Sequence, residues 1–201
     1  NQVNKNTFNP TSGLTGIMTG SCNVITLNIN RIVQDWFNFV NHLYYGNVGK
    51  NLVPNGIFNK DCSLSNYLIG ILKRVYKYHI AYKTILYDWE DAGMFTCCNA
   101  GYIHIKKLYS TIGINGLNEA AEFLGLKVNN NKDYIEFLQL ILSTIKEQNA
   151  LHSINDKKRP FLFNSEVVPA ESLASKNYNW DKKDTYFVHS NRNLYNSYFF
   201  L

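Results

Sequence analysis

The sequence predicts an α/β fold in which strands feed straight into helices, and three observations carry that expectation. Residues 21–30 are an apolar, β-branched run headed by Cys22, and directly behind it Ile32, Val33, Trp36, Phe37, Val40, Leu43 and Tyr44 recur at helical spacing. The same order of strand and then helices returns after residue 108. A last apolar run, residues 161–168, is closed by Pro169. Strand-helix-helix, strand-helix-helix, strand is the order of a sheet with helices packed outside it, and chemistry in such sheets collects at strand ends.

Each element has a local cause. Residues 1–20 are rich in Asn, Thr, Ser and Gly, with Pro10, Gly13, Gly16 and Gly20 as breakers, and read as a loop entering the first strand. Asn30 is the expected N-cap of the first helix and Gly46 the residue past its end. Residues 47–60, with Gly49, Pro54 and Gly56, form a connector. A second helix is expected over 63–82, with Leu64, Leu68, Leu72, Val75 and Tyr76 on one face. Residues 94–100 are short and apolar, a candidate strand, and 102–106 alternate Tyr, Ile and Ile against His and Lys.

Residues 108–114 read as a buried strand, after which Asn115 is expected to cap a helix that turns Leu117, Ala120, Ala121 and Leu124 inward and stops at Gly125. Asn130 or Asn131 opens a long helix striped by Tyr134, Phe137, Leu138, Ile141 and Ile145. From Asn177 onward the chain is aromatic, Asn-rich and expected to be irregular. No internal repeat is visible.

At 201 residues, with 45% apolar and 17% charged residues, one folded domain is expected. No apolar run reaches membrane-spanning length and no charged-then-apolar leader opens the sequence, so a cytoplasmic location is expected. The net charge of +5 comes with basic residues bunched late, at Lys157, Lys158, Arg159, Lys176, Lys182, Lys183 and Arg192. Such a bunch either solvates a surface or attracts a phosphate-bearing ligand, and without a long Lys/Arg block nucleic-acid binding is not expected. The four cysteines, Cys22, Cys62, Cys97 and Cys98, have no zinc or framework spacing, and the five histidines have no metal-ligand spacing, so no metal site is expected. Asp88, Glu90 and Asp91 remain open as a solvated loop, a cap or a metal site.

Three stretches could carry chemistry. Residues 112–117 place Gly113 and Gly116 where a strand turns into a helix, suited to an anion or simply to a tight turn. Val168, Pro169, Ala170, Glu171, Ser172, Leu173 and Ala174 follow the last strand, and a helix starting there offers amides and the Ser172 hydroxyl to phosphate oxygens. Cys22 is either a core cysteine or a reactive thiol; Asn23 beside it can hydrogen-bond but cannot act as a base. The opening residue is not Met and the last six residues are an aromatic run, which reads as a piece of a longer polypeptide.

Four collinear motifs then resemble the anaerobic (class III) ribonucleoside-triphosphate reductases. They are residues 15–32, containing Gly20-Ser21-Cys22-Asn23; residues 100–103 with 110–125, containing Ile112-Gly113-Ile114-Asn115-Gly116-Leu117-Asn118-Glu119; residues 168–174; and residues 179–184 with 195–198. The resemblance implies part of a ten-stranded α/β barrel of the glycyl-radical and ribonucleotide reductase type. All of 1–201 would be an interior fragment of that one catalytic domain: 1–20 the loop after its finger loop, 21–176 strand-helix units, 177–201 an irregular aromatic segment.

It further implies reduction of ribonucleoside triphosphates to 2′-deoxyribonucleotides by thiyl and glycyl radical chemistry. The finger-loop cysteine would precede residue 1, and the glycyl-radical segment and the family's zinc cysteines would follow residue 201, so the chain alone is expected to be inactive. Cys22 or Asn23 would face the 2′ side of the substrate, a cysteine in members using a thioredoxin-like reductant and a non-thiol in members using formate. Pro169, Ala170, Glu171, Ser172, Leu173 and Ala174 would receive substrate phosphates. The implied partners are the remaining reductase segments, an iron-sulfur/S-adenosylmethionine activase that generates the glycyl radical, the reductant and a second copy in a homodimer. The alternative is a non-catalytic nucleotide- or phosphate-binding module derived from the same barrel. Cys97-Cys98 departs from the family pattern.

Overall fold

The computed structural model describes residues 20–45, 63–167 and 171–196. The expected loop up to residue 19, the helix stop at Gly46, the connector at 47–60, and Cys62, Pro169 and Ala170 lie outside them. Strand β1 (Ser21–Asn28) runs into helix α1 (Ile29–Tyr45) with no intervening loop. The helix is capped by Asn28, whose Oδ1 accepts the Arg31 amide at 3.2 Å. Asn30, the expected cap, is instead fully buried in the first turn.

Helix α2 (Leu64–Asp91) runs nine residues past the end of the 63–82 span expected of it. Its buried stripe continues from Tyr76 through His79, Lys83, Leu86 and Tyr87. The polar identities of His79 and Lys83 hid that continuation from a hydrophobic-period argument. Residues 94–100 are not a strand: α3 (Thr96–Asn99) is one turn of helix between Gly93 and Gly101, both at positive φ. A left-handed glycine at each end leaves no room for extended pairing. The alternating stretch before β2 forms no strand either; its end is a 3₁₀ turn, Ile105–Lys107, whose first amide is held by Glu90 Oε1 at 3.3 Å.

Strand β2 (Tyr109–Asn115) is followed by α4 (Leu117–Phe123), capped not by Asn115 but by left-handed Gly116. Asn115 is unavailable as a cap because its Oδ1 accepts from Asn177 Nδ2 at 3.0 Å. Helix α4 ends as expected at Gly125: its amide reaches Glu122 O at 3.0 Å and the Leu126 amide reaches Ala121 O at 2.9 Å, the paired bonds of a left-handed C-terminal cap. Helix α5 (Lys132–His152) is capped by Asn131, whose Oδ1 accepts the Tyr134 amide at 3.0 Å. Strand β3 (Leu162–Val167) precedes α6 (Glu171–Lys183), a thirteen-residue helix that runs through the segment expected to be irregular from Asn177.

The three strands form one parallel sheet in the order β1-β2-β3. No helix among the described residues is long and apolar enough to cross a membrane. The chain divides into two compact units, one drawn from Asn1–Ile25, Lys73–Ile112 and Lys146–Ser165, the other from Thr26–Leu72, Gly113–Ile145 and Glu166–Leu201. In the first unit Leu86, Tyr87 and Ile105 form a core against which Cys22, Phe95, Cys98, Leu108 and Phe161 pack. Tyr76 stacks on His152 at 4.2 Å and meets Phe163 edge-on at 4.8 Å. In the second unit Ala174, Tyr178 and Tyr195 pack with Val188, and Phe123 lies edge-on to Phe37 at 5.3 Å.

Candidate functional site

In the first unit the head of β1 presents two different faces, because successive strand side chains point to opposite sides of the sheet. Cys22 takes the side that packs on Leu86, Tyr87 and Ile105; its thiol donates to Tyr109 O at 3.3 Å and lies 3.8 Å from Ser110 Oγ. Lys83 belongs to the same surroundings. It is fully buried, donates to Leu108 O at 2.6 Å, and its ammonium pKa is lowered by burial, against a smaller opposing effect of Cys22. Cys22 is thus half-buried on the helix-covered side.

Ser21 and Asn23 alternate to the other side. There Ser21 Oγ lies 2.5 Å from Thr111 Oγ1, and Thr111 donates to Asn164 Oδ1 at 2.6 Å. Since Thr111 has one proton and gives it to Asn164, Ser21 must be the donor in the first bond. A hydroxyl-amide row therefore crosses all three strands on the face that Asn23 shares by register, and Asn23 is half-buried there. The two neighbours Cys22 and Asn23 consequently do not share a surface.

The second unit holds the other predicted group. Glu171 is the first residue of α6, Ser172 is exposed, Leu173 is half-buried and Ala174 is buried in the Tyr178–Tyr195 core. The first amides of a thirteen-residue helix have no intrahelical acceptors, so this turn is competent to meet an anion. At the 112–117 turn a Cβ on Gly116 would lie 3.3 Å from both Asn30 N and the Tyr195 ring, so the close backbone approach at Gly116 is to protein.

Two of the late basic residues are already committed. Arg159 pairs with Asp88 at 2.9 Å and Asp91 at 2.5 Å, and Arg192 holds Glu122 at 2.7 Å and buried Glu119 at 3.5 Å. With Glu90 bound to the Ile105 amide, the acidic cluster is a structural clamp, and no metal-competent group of three His, Cys, Asp or Glu occurs among the described residues.

A further cluster escaped sequence reasoning. Asp181, with no exposed surface, accepts from Asn28 Nδ2 (2.9 Å), Asn30 Nδ2 (3.3 Å), Arg31 Nε (2.7 Å) and Tyr195 OH (2.5 Å). Asn30 also donates to Phe187 O at 3.0 Å and to Tyr195 OH at 2.7 Å. The available signal was the Asn28-Ile29-Asn30-Arg31 stretch, which carries more polar groups than a strand-to-helix junction can satisfy locally.

Comparison with known proteins gives a consistent result. The family described as anaerobic ribonucleoside-triphosphate reductase matches residues 2–201. No curated protein sequence matches the chain. Among solved structures, the chain is similar to the anaerobic ribonucleotide reductase from Thermotoga maritima with citrate in the active site, at 22% identity and a TM-score of 0.67, covering 89% of this chain and 30% of that one. It is similar to the same organism's enzyme in complex with dATP and CTP, at 21% identity and a TM-score of 0.67, covering 89% of this chain and 27% of that one. A further anaerobic ribonucleotide reductase matches at 21% identity and a TM-score of 0.66, over 89% of this chain and 26% of its own. The chain therefore has the fold of one part of that barrel and spans under a third of those proteins' length.

Proposed function

Since the chain belongs to the anaerobic ribonucleoside-triphosphate reductase family, we propose that the native polypeptide carrying it reduces ribonucleoside triphosphates to 2′-deoxyribonucleotides, with Asn23 rather than Cys22 turned toward the substrate. The observation that supports this choice is the alternation at the head of β1, which packs Cys22 against Leu86 and Tyr87 and sends Asn23 to the opposite face. A glycyl radical, formed by an iron-sulfur/S-adenosylmethionine activase and relayed to a cysteine thiyl outside this chain, would supply the radical chemistry. Asn23 supplies an amide that can both donate to and accept from ribose hydroxyls without itself taking a proton. A non-thiol side chain at this position favours formate over a thioredoxin-like dithiol as reductant.

The segment from Pro169 to Ala174 is proposed to hold the substrate phosphates through the first amides of α6 and the exposed Ser172 hydroxyl, where the positive end of the helix favours an anion. The complete enzyme is proposed to act in the cytoplasm as a homodimer.

The test compares Asn23→Ala and Cys22→Ser in the activated native polypeptide, with formate and with a dithiol as reductant. Loss of an oriented hydrogen-bonding group in a closed site lowers turnover on the order of 100-fold, expected for Asn23→Ala. Cys22→Ser should retain turnover with formate. If Cys22→Ser instead blocks multiple turnover with a dithiol while radical formation persists, and Asn23→Ala is silent, the assignment is reversed. A native polypeptide that binds nucleotide yet lacks any glycyl-radical segment would leave only phosphate binding.

A further inference from the structure

Cys97 and Cys98 have no part in the proposed reaction, yet their surroundings set them apart. They occupy α3, one turn of helix between Gly93 at φ 72° and Gly101 at φ 79°. The turn is fastened at both ends: Met94 N donates to Trp89 O at 2.9 Å, Gly101 N to Cys98 O at 2.9 Å, Tyr102 N to Cys97 O at 3.0 Å, and Asn99 Nδ2 to Gly93 O at 2.9 Å. No residue of α3 is buried, and its N-cap, Phe95, offers no side-chain bond. Inside the turn the Cys98 and Asn99 amides donate to Phe95 O at 3.1 and 3.0 Å and the Ala100 amide to Thr96 O at 2.9 Å, so its helical form rests on backbone bonds and not on burial.

The two thiols differ in kind. Cys97 is exposed to water, whereas Cys98 is half-buried against the Leu86–Tyr87–Ile105 core. The two are adjacent in sequence, and the Glu90 carboxylate acts electrostatically on Cys98. Burial first, then Cys97 and Glu90, push the Cys98 thiol up to about 11. The exposed sulfur is therefore the first to react and the sheltered one the second.

We propose that Cys97 and Cys98 form a redox-modification site that exchanges with a small oxidised thiol and closes reversibly to a disulfide between adjacent residues. The Cys97 thiolate attacks one sulfur of the external disulfide, forming a mixed disulfide and releasing one thiol. Cys98 then gives its proton to solvent, and its thiolate attacks the Cys97 sulfur, closing the ring as the second external thiol leaves. Two protein thiols lose two electrons and two protons, and one external disulfide becomes two thiols.

Adjacent Cα atoms stand ~3.8 Å apart, short of the ~4.4–6.8 Å of ordinary disulfides, so the closed ring is strained and readily reduced. Strain suits a reversible switch and not a permanent staple. Closure takes residues 97 and 98 out of helical geometry and draws Cys98 off the core that also seats Cys22. This inference stands apart from the reductase reading, since it uses neither the substrate nor the radical.

The experiment incubates the native polypeptide with oxidised glutathione, blocks remaining thiols with N-ethylmaleimide and maps the peptides by mass spectrometry. The peptide holding Cys97 and Cys98 should be lighter by two hydrogen atoms, carry no label, and accept two labels after dithiothreitol. Cys98→Ser should keep glutathione on Cys97, and Cys97→Ser should leave Cys98 as a free thiol. Persistent glutathionylation in the wild type, full labelling of both thiols, or a link from Cys98 to Cys22 would each overturn the proposal. The wild-type arm decides it even if a variant fails to fold.

Discussion

Asp181 gathers four hydrogen bonds in the second unit. One cation and three neutral donors converge on a carboxylate with no exposed surface, from the end of β1, the first turn of α1 and the segment after α6. Removing the acceptor strips the Asn28 amide and the Tyr195 hydroxyl of their shared partner and leaves Arg31 only its outer pair with Asp184. Asp181→Ala should therefore lower unfolding stability by about 3–5 kcal/mol, measured from urea midpoints. Tyr195→Phe removes a single hydroxyl from the same group and should cost about 1 kcal/mol. Arg31→Lys should fall between them, because Arg31 uses Nε on Asp181 and Nη2 on Asp184, a fork that an ammonium cannot reproduce. At this scale the sequence was a partial guide. It narrowed attention to Cys22 and Asn23, but only the covering helix, with His79 and Lys83 continuing its buried stripe, decides which of the pair faces away from the core.

Among the elements, α5 and α6 mark where local chemistry suffices and where it does not. The start of α5 was legible because an asparagine precedes an apolar stripe; Asn131 closes the first turn while Asn130 stays exposed. Asn131→Ala should destabilise the protein by about 1 kcal/mol and Asn130→Ala should leave the urea midpoint unchanged. Helix α6 was illegible beyond its start. Asn177, Asn179 and Asp181 are residues whose side chains compete with the helical backbone, so local preference pointed to irregular chain. Asn177 is instead engaged by Asn115, and Asp181 by Asn28, Asn30 and Arg31, partners more than 60 positions away in sequence. Long-range satisfaction overrode local propensity. The reverse error occurred at 94–100, where apolar residues suggested a strand but glycines at 93 and 101 imposed a turn.

For the molecule as a whole, stability should depend on pH through a buried imidazole. His79 has no exposed surface and neither ring nitrogen has a hydrogen-bond partner; the Thr111 backbone lies near enough to favour its proton but not to close a bond. Burial lowers its pKa from 6.5 to about 4. Above pH 6.5 both folded and unfolded chains carry the neutral ring and nothing is gained or lost. Between 6.5 and about 4 the unfolded chain takes up a proton that the folded one refuses, so stability falls by about 3 kcal/mol as the solution is acidified. Glu119, whose pKa burial raises, acts with the opposite sign, since acid relieves the cost of burying its charge. Urea titrations of wild type and His79→Leu across this window separate the two: the variant should lose the acid-side slope, and an unchanged slope would exclude His79 as its source.

Strand β3 stands at one side of the three-stranded sheet, and the residues leading into it are already spoken for. Phe161 exchanges both backbone bonds with Ile154, at 2.8 and 2.9 Å, and the Phe163 amide is taken by Ser153 Oγ at 3.2 Å. A foreign strand seeking to copy itself onto this margin finds its first rungs occupied and can begin only beyond Phe163. The two residues just past α5 thus work as a gatekeeper, discouraging indiscriminate templating and dictating the rung at which any legitimate neighbour must start.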